Sequence, residues 1–128
     1  MSWCQSYETL EVYRIAFDAS MEIMNLTRDF PTEGSLLFSE QIRRCARSVC
    51  YHISEAIRTR NQQTIFLYRL SQARDDAEET MTWIRHAVSQ EYISIDSGAR
   101  LYSSYSSVIG KLVSLLTHPT PQVLREAA

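Results

Sequence analysis

Apolar residues recur every three or four positions in four separate stretches of the chain, which is the spacing of amphipathic helices. The first stretch, about residues 7–29, carries Val12, Ala16, Ala19, Ile23 and Leu26, with a flanking row at Leu10, Tyr13, Phe17, Met21 and Met24. A stripe that wide suits a helix packed against two neighbours. Phe30-Pro31-Thr32-Glu33-Gly34-Ser35 then breaks the pattern, because proline disfavours helix in the residue before it and glycine admits turn conformations. A second helix is predicted over about 36–59, with Phe38, Ile42, Cys45, Val49, Ile53 and Ala56 on one side and no Gly or Pro inside. The link that follows is very short, and Asn61 is the expected N-cap of a third helix over about 62–89. Its stripe is Phe66, Leu70, Ala73, Ala77, Met81, Ile84 and Val88.

Asp96 is the expected N-cap of a fourth helix over about 96–117, which carries Leu101, Tyr105, Val108, Leu112 and Leu115 or Leu116. Gly110 weakens that helix relative to alanine, or admits a close neighbour. His118-Pro119-Thr120-Pro121 ends it, leaving a tail over 118–128 as a stray turn or a disordered end. Four such helices with short links predict an all-α fold, an up-down-up-down antiparallel four-helix bundle. A three-helix core with an exchanged fourth helix is the alternative.

Composition narrows this picture without changing it. At 128 residues the chain suits one domain, and three Gly with three Pro leave little material for a many-turned β architecture. The opening MSWCQSYETLEVYR lacks a basic segment followed by an apolar one. Nowhere do apolar residues run for the roughly 18 positions a membrane span needs, so the expected setting is cytoplasmic, with no membrane partner. Cys4, Cys45 and Cys50 are an odd number, too few for a disulfide framework, and are read as free thiols.

Charge supplies the one candidate site. The formal net charge is −2, which argues against coating nucleic acid with the whole surface. Between Ser39 and Arg60, however, Arg43, Arg44, Arg47, Arg58 and Arg60 face only Glu40 and Glu55. Residues 43 and 47 lie one turn apart and 44 about 100° round, so these three form a compact cationic surface. Arginine's planar fork fits phosphate oxygens, which makes RNA or DNA a candidate ligand. The other reading pairs these arginines with Glu40, or with Asp75, Asp76, Glu78 and Glu79 on a neighbouring helix or subunit, where opposite charges would set the register of an interface. Trp83, read as interface or core, joins Tyr102 and Tyr105 in that candidate oligomer interface, since a tyrosine on an already apolar helix suggests a second buried surface; ordinary core tyrosine is the alternative. Trp3 is read as a staple on helix one or as disordered.

Catalytic and metal chemistry find little to stand on. Di-iron bundles use Glu-x-x-His, whereas His52-Ile53-Ser54-Glu55 has the reverse order, and His86 and His118 lack matching partners. Cys45 and Cys50 lie about 140° apart on a helix, a poor geometry for one zinc. Cys50 and His52 point about 200° apart, and no Gly-x-Ser-x-Gly elbow or glycine-rich phosphate loop occurs. The expectation is therefore no catalytic residues, no metal and no cofactor.

Local words along these helices resemble the four-helix-bundle family called S23 or 23S rRNA intervening-sequence proteins, related to accessory proteins of diversity-generating retroelements. Tyr7-Glu8-Thr9-Leu10-Glu11-Val12-Tyr13 is similar to the family's aromatic-x-x-Leu-x-Val/Ala-aromatic opening, and Leu26-Thr27-Arg28-Asp29-Phe30-Pro31 to its LTxxFP. Ser39-Glu40-Gln41-Ile42-Arg43-Arg44-Cys45-Ala46-Arg47-Ser48-Val49 follows SxQIRRAxxSI, and Glu91-Tyr92-Ile93 stands where the family has GYL. Phe66, Leu70, Ala73, Arg74 and Glu79 fit its third helix. The chain departs from the pattern at Cys50 to Ala56, where the family has a proline and NIAEG, and at Asp75-Asp76, where it has Gly-Ser. The resemblance implies a bundle that assembles into a ring, typically a homopentamer, without recognised catalytic residues. Nucleic-acid binding is the recurring functional suggestion.

Overall fold

The computed structural model describes residues 10–32 and 34–117. Four helices occupy most of them: α1 Glu11–Thr27, α2 Leu36–Arg58, α3 Gln63–Ser89 and α4 Ile95–Thr117. α1 packs on α2 and α4, and α3 packs on the same two, so the helices run round the bundle in chain order. With links of a few residues between them, this is the up-down-up-down antiparallel arrangement. The fourth helix packs within its own bundle.

Most of the predicted stripe forms the core, while Leu26, Phe38, Met81 and Val88 of it are only partly buried against it. Ile23, Ile42, Ile53, Leu70, Ile84, Leu101 and Leu112 are fully buried. Alanines 16, 19, 46, 56, 73, 77 and 87 are buried between them, which lets the helix backbones approach. Phe30, Phe38, Trp83 and Tyr92 gather at one end, with the Phe30 and Tyr92 rings 5.1 Å apart and the Phe38 and Trp83 rings 5.3 Å apart. The flanking row of α1 is only partly covered, since Phe17 and Met21 remain exposed.

Helix ends differ from the sequence-based expectation in informative ways. The 7–9 start expected for α1 and the 118–128 tail lie outside the described residues, as do Trp3 and Cys4. α1 stops at Thr27, two residues early, where the Thr27 hydroxyl donates back to the Ile23 carbonyl at 2.7 Å. Asn61 does not cap α3; Gln62 holds that position without a side-chain bond. Asp96 is not a cap either, because α4 begins at Ile95 and Ser94 Oγ accepts from the Ser97 N–H at 3.0 Å. Asp96 instead lies in the first turn, where a carboxylate favours the helix dipole. A Cβ at Gly110 would meet no neighbour among the described residues, so no close approach to them depends on that glycine.

α3 ends in a left-handed cap. The Tyr92 N–H reaches the Ala87 carbonyl at 2.9 Å and the Glu91 N–H reaches Val88 at 3.0 Å, a Schellman pairing. Glu91 adopts φ 62° to close it, a conformation that strains a residue with a Cβ and leaves glycine at ease. Glu91→Gly should therefore raise stability by about 1 kcal/mol in urea unfolding. A lower midpoint would contradict the strain assigned to this turn.

Candidate functional site

α2 turns Ile42, Val49 and Ile53 inward, which fixes the opposite face outward. Glu40, Arg44, Arg47, Tyr51 and Arg58 lie on that outward face, at intervals of three, four or seven residues. Arg44 and Arg47 are exposed, and neither makes a hydrogen bond or ion pair among the described residues. The other three candidate arginines are already engaged. Arg43 is half-buried and its Nε donates to Thr27 Oγ1 at 2.6 Å, tying α2 to the end of α1. Arg58 pairs with Glu55 one turn earlier, a hydrogen bond that holds the Glu55 carboxyl below its usual range. Arg60 donates through Nη1 to the Ile57 carbonyl at 3.0 Å. Of the five candidate arginines, Arg44 and Arg47 are thus the open pair among the described residues, and Arg43, Arg58 and Arg60 have partners within the fold.

The acidic cluster of α3 binds elsewhere in the protomer. Asp75 is exposed and lies 3.7 Å from Arg74. Asp76 faces α2, accepts from Ser48 Oγ and sits 3.7 Å from His52 Nε2. Glu79 accepts from Trp83 Nε1 at 3.2 Å and from Cys45 Sγ at 3.4 Å. Glu78 borders an open groove of about 370 Å³ between α3 and α4, together with Met81, Arg85 and Tyr102. Among the described residues none of these carboxylates bonds an arginine of α2, so pairing of the two charge clusters inside one protomer is not what the fold does.

Of the candidate interface aromatics, Trp83 is half-buried against Phe38, and Tyr102 is half-buried beneath the Arg85 guanidinium, 5.1 Å from its ring centroid. Tyr105 is corrected outright. It is 0% exposed, because the inward stripe of α4 passes through Leu101, Tyr105, Val108 and Leu112, and no surface can use it.

A polar seam between α2 and α3 lies beside the arginine pair. Arg69 Nη1 lies 3.2 Å from His52 Nδ1. Since a guanidinium only donates, Nδ1 must accept, which places the imidazole proton on Nε2 toward Asp76. Burial lowers the His52 pKa below its ordinary 6.5 and Arg69 adds to that, while Asp76 and Glu55 oppose it. The folded state thus holds a neutral imidazole that the unfolded chain protonates first. Stability should decline as pH falls below about 6.5, and His52→Gln should flatten part of that decline in urea midpoints across the range. Identical pH profiles for the two proteins would exclude His52 as a contributor.

Among the described residues the two thiols, Cys45 and Cys50, are poor nucleophiles. Burial, reinforced by Glu79, pushes Cys45 up to about 12, and burial pushes Cys50 up to about 12. Both stay protonated at neutral pH. Among the described residues no three of His, Cys, Asp and Glu are grouped to hold a metal ion, and no helix is long and apolar enough to cross a membrane.

Tyr51 is the residue that sequence reasoning passed over. Tyr51 is 53% exposed and shares the outward face of Arg44 and Arg47, with Arg69 5.7 Å from its ring centroid. Its place seven residues after Arg44 and four after Arg47 was the available signal.

Comparison with known proteins agrees with this architecture. Among solved structures, a protein of unknown function from the S23 ribosomal protein family of Bacteroides thetaiotaomicron is similar, with a TM-score of 0.75 at 24% identity. The likeness covers 82% of this chain and 97% of that one, and bears on the fold alone. No curated protein matches. The model of the family described as 23S rRNA-intervening sequence protein matches residues 8–114, a span that takes in the outward face of α2 and reaches into α4. The chain belongs to the 23S rRNA-intervening sequence protein family.

Proposed function

We propose that the protein is a non-catalytic, cytoplasmic, oligomeric binding protein that engages nucleic acid through the outward face of α2. The observation that carries this reading is the pair Arg44 and Arg47: two exposed guanidinium groups one turn apart with no carboxylate bound to either among the described residues. Leaving two like charges side by side and unpaired has no benefit to the isolated fold, whereas phosphate oxygens would satisfy both. Arg43, Arg58 and Arg60 add positive potential behind them while their own bonds hold them in place.

A second reading has its own support. Asp75 and Glu78 are exposed, and Phe17, Met21, Leu37 and Ile95 leave apolar surface open, as the contact faces of a ring would. In that arrangement, a homopentamer by resemblance, Arg44 and Arg47 bridge to the acidic cluster of the next subunit, and the protein acts as a scaffold.

Purification at low salt tests the first reading. Nucleic acid should travel with the protein, seen in the ultraviolet absorbance, and should leave on washing with about 1 M salt, where electrostatic contacts are screened. Light scattering on the washed sample then gives the assembly. A protein that carries no nucleic acid and binds no added RNA or DNA at low salt would leave only the scaffold reading.

A further inference from the structure

We infer that the α2 face is built for single-stranded rather than duplex nucleic acid, with Tyr51 as a base-stacking platform beside the phosphate contacts of Arg44 and Arg47. The inference rests on the nucleic-acid reading above and adds to it the form of ligand. Three observations carry it.

The first is register. Arg44, Arg47 and Tyr51 follow one another at i, i+3 and i+7, so they form one row on one face, spanning about 10 Å along the helix axis. Two cations and a ring in that order match a short run of backbone ending in a base.

The second is the state of the ring. Tyr51 is 53% exposed on the outward face, where a large aromatic surface stays open to a ligand. One side of it is occupied within the protomer: Arg69 stands 5.7 Å from the ring centroid, and the His52 ring meets it edge-on at 5.3 Å. Those contacts hold the aromatic in place from behind. A prearranged ring loses little freedom when a base stacks on it.

The third is what a duplex would find there. In a duplex the bases are already stacked and their faces are closed, so a flat aromatic on a convex helix meets only sugar and phosphate. An unpaired base presents a free π-face, and every base has one, so the site needs no sequence preference. RNA and DNA single strands share this chemistry.

The test is fluorescence anisotropy of the full chain with a labelled single-stranded RNA, the same sequence as single-stranded DNA, and the annealed duplex, each titrated across salt. Wild type should bind both single strands more tightly than the duplex. Tyr51→Ala should weaken single-strand binding by about 5- to 100-fold, with the salt slope unchanged and duplex binding unaffected, as expected for a lost stacking contact. Tyr51→Phe, which keeps the ring, should stay within about twofold of wild type. Thermal melts of each variant show that the bundle is intact, and Tyr51→Leu repeats the test with an apolar side chain of similar bulk.

Equal binding of duplex and single strand, or undiminished single-strand binding by both Tyr51→Ala and Tyr51→Leu, overturns the inference and leaves the nucleic-acid reading standing. Absence of binding to all three oligonucleotides, or binding unaffected by Arg44→Gln/Arg47→Gln, overturns both. A preference for RNA over DNA within the single-strand class supports the inference and adds a 2′-hydroxyl contact to it.

Discussion

Gly98→Ala is expected to destabilise the bundle by about 1–3 kcal/mol, the range for forcing an extra methyl group into a packed site. Gly98 sits in the first turns of α4 where that helix crosses the end of α3. A Cβ there would fall closer than 3.0 Å to Val88 Cγ2, inside any real carbon–carbon contact, and Ile93 closes the other side. Valine is stiff at χ1 and cannot swing clear at low cost. The effect should therefore be local and pairwise. Adding Val88→Ala to Gly98→Ala should recover part of the loss, and a double-mutant cycle in urea should return a coupling of about 1 kcal/mol or more. Strict additivity would mean that the strain lies elsewhere. Gly110 is the control, since nothing lies near it, and the helix-propensity gain of Gly110→Ala should appear unopposed as up to about 1 kcal/mol of added stability.

The largest functional effect is expected from Arg44→Glu/Arg47→Glu. Both side chains are exposed and make no bond among the described residues, so their reversal should leave the melting temperature nearly unchanged. Nucleic-acid affinity, in contrast, should fall by at least about 100-fold near 100 mM salt, because two attractive phosphate contacts become two repulsive ones. The scaffold reading gives a different signature. If the pair bridges to Asp75, Glu78 or Glu79 of the next subunit, the same reversal lowers the assembly mass in light scattering and leaves oligonucleotide binding untouched. The restoring change is then Asp75→Arg/Glu78→Arg, which re-creates opposite charges across the contact.

How much of this was legible in the sequence depends on the range of the interaction involved. The stripe Ile42, Cys45, Val49 and Ile53 follows from helical periodicity alone, so the fold and the inward face of α2 could be read from spacing, and the family words fell on the same helices. Caps were less legible. Asn61 and Asp96 are good cap residues by type, yet Gln62 and Ser94 hold those positions, because the docking of α3 and α4 fixes where each helix begins. Tyr105 could not be placed from sequence because a tyrosine suits an interface or a core equally, and the packed bundle is what buries its whole ring.

The arginines show the same boundary. Their clustering is local and visible, but which are free is not. Arg43 is taken by Thr27 sixteen residues earlier, and Glu79 accepts from Cys45 of the neighbouring helix, contacts made only when helices meet. The departure from the family pattern at Tyr51-His52 was visible in sequence. That it puts an exposed ring backed by Arg69 beside an open cation pair required the packed α2 and α3.

The most direct test of the nucleic-acid reading is the dependence of binding on salt, measured as log K against log salt concentration for a single-stranded oligonucleotide. Wild type should give a straight falling line, and Arg44→Gln/Arg47→Gln should give a line shallower by about 1.4, the share of two phosphate contacts on a single strand. Parallel lines for the two proteins, or binding that does not change with salt, would contradict it.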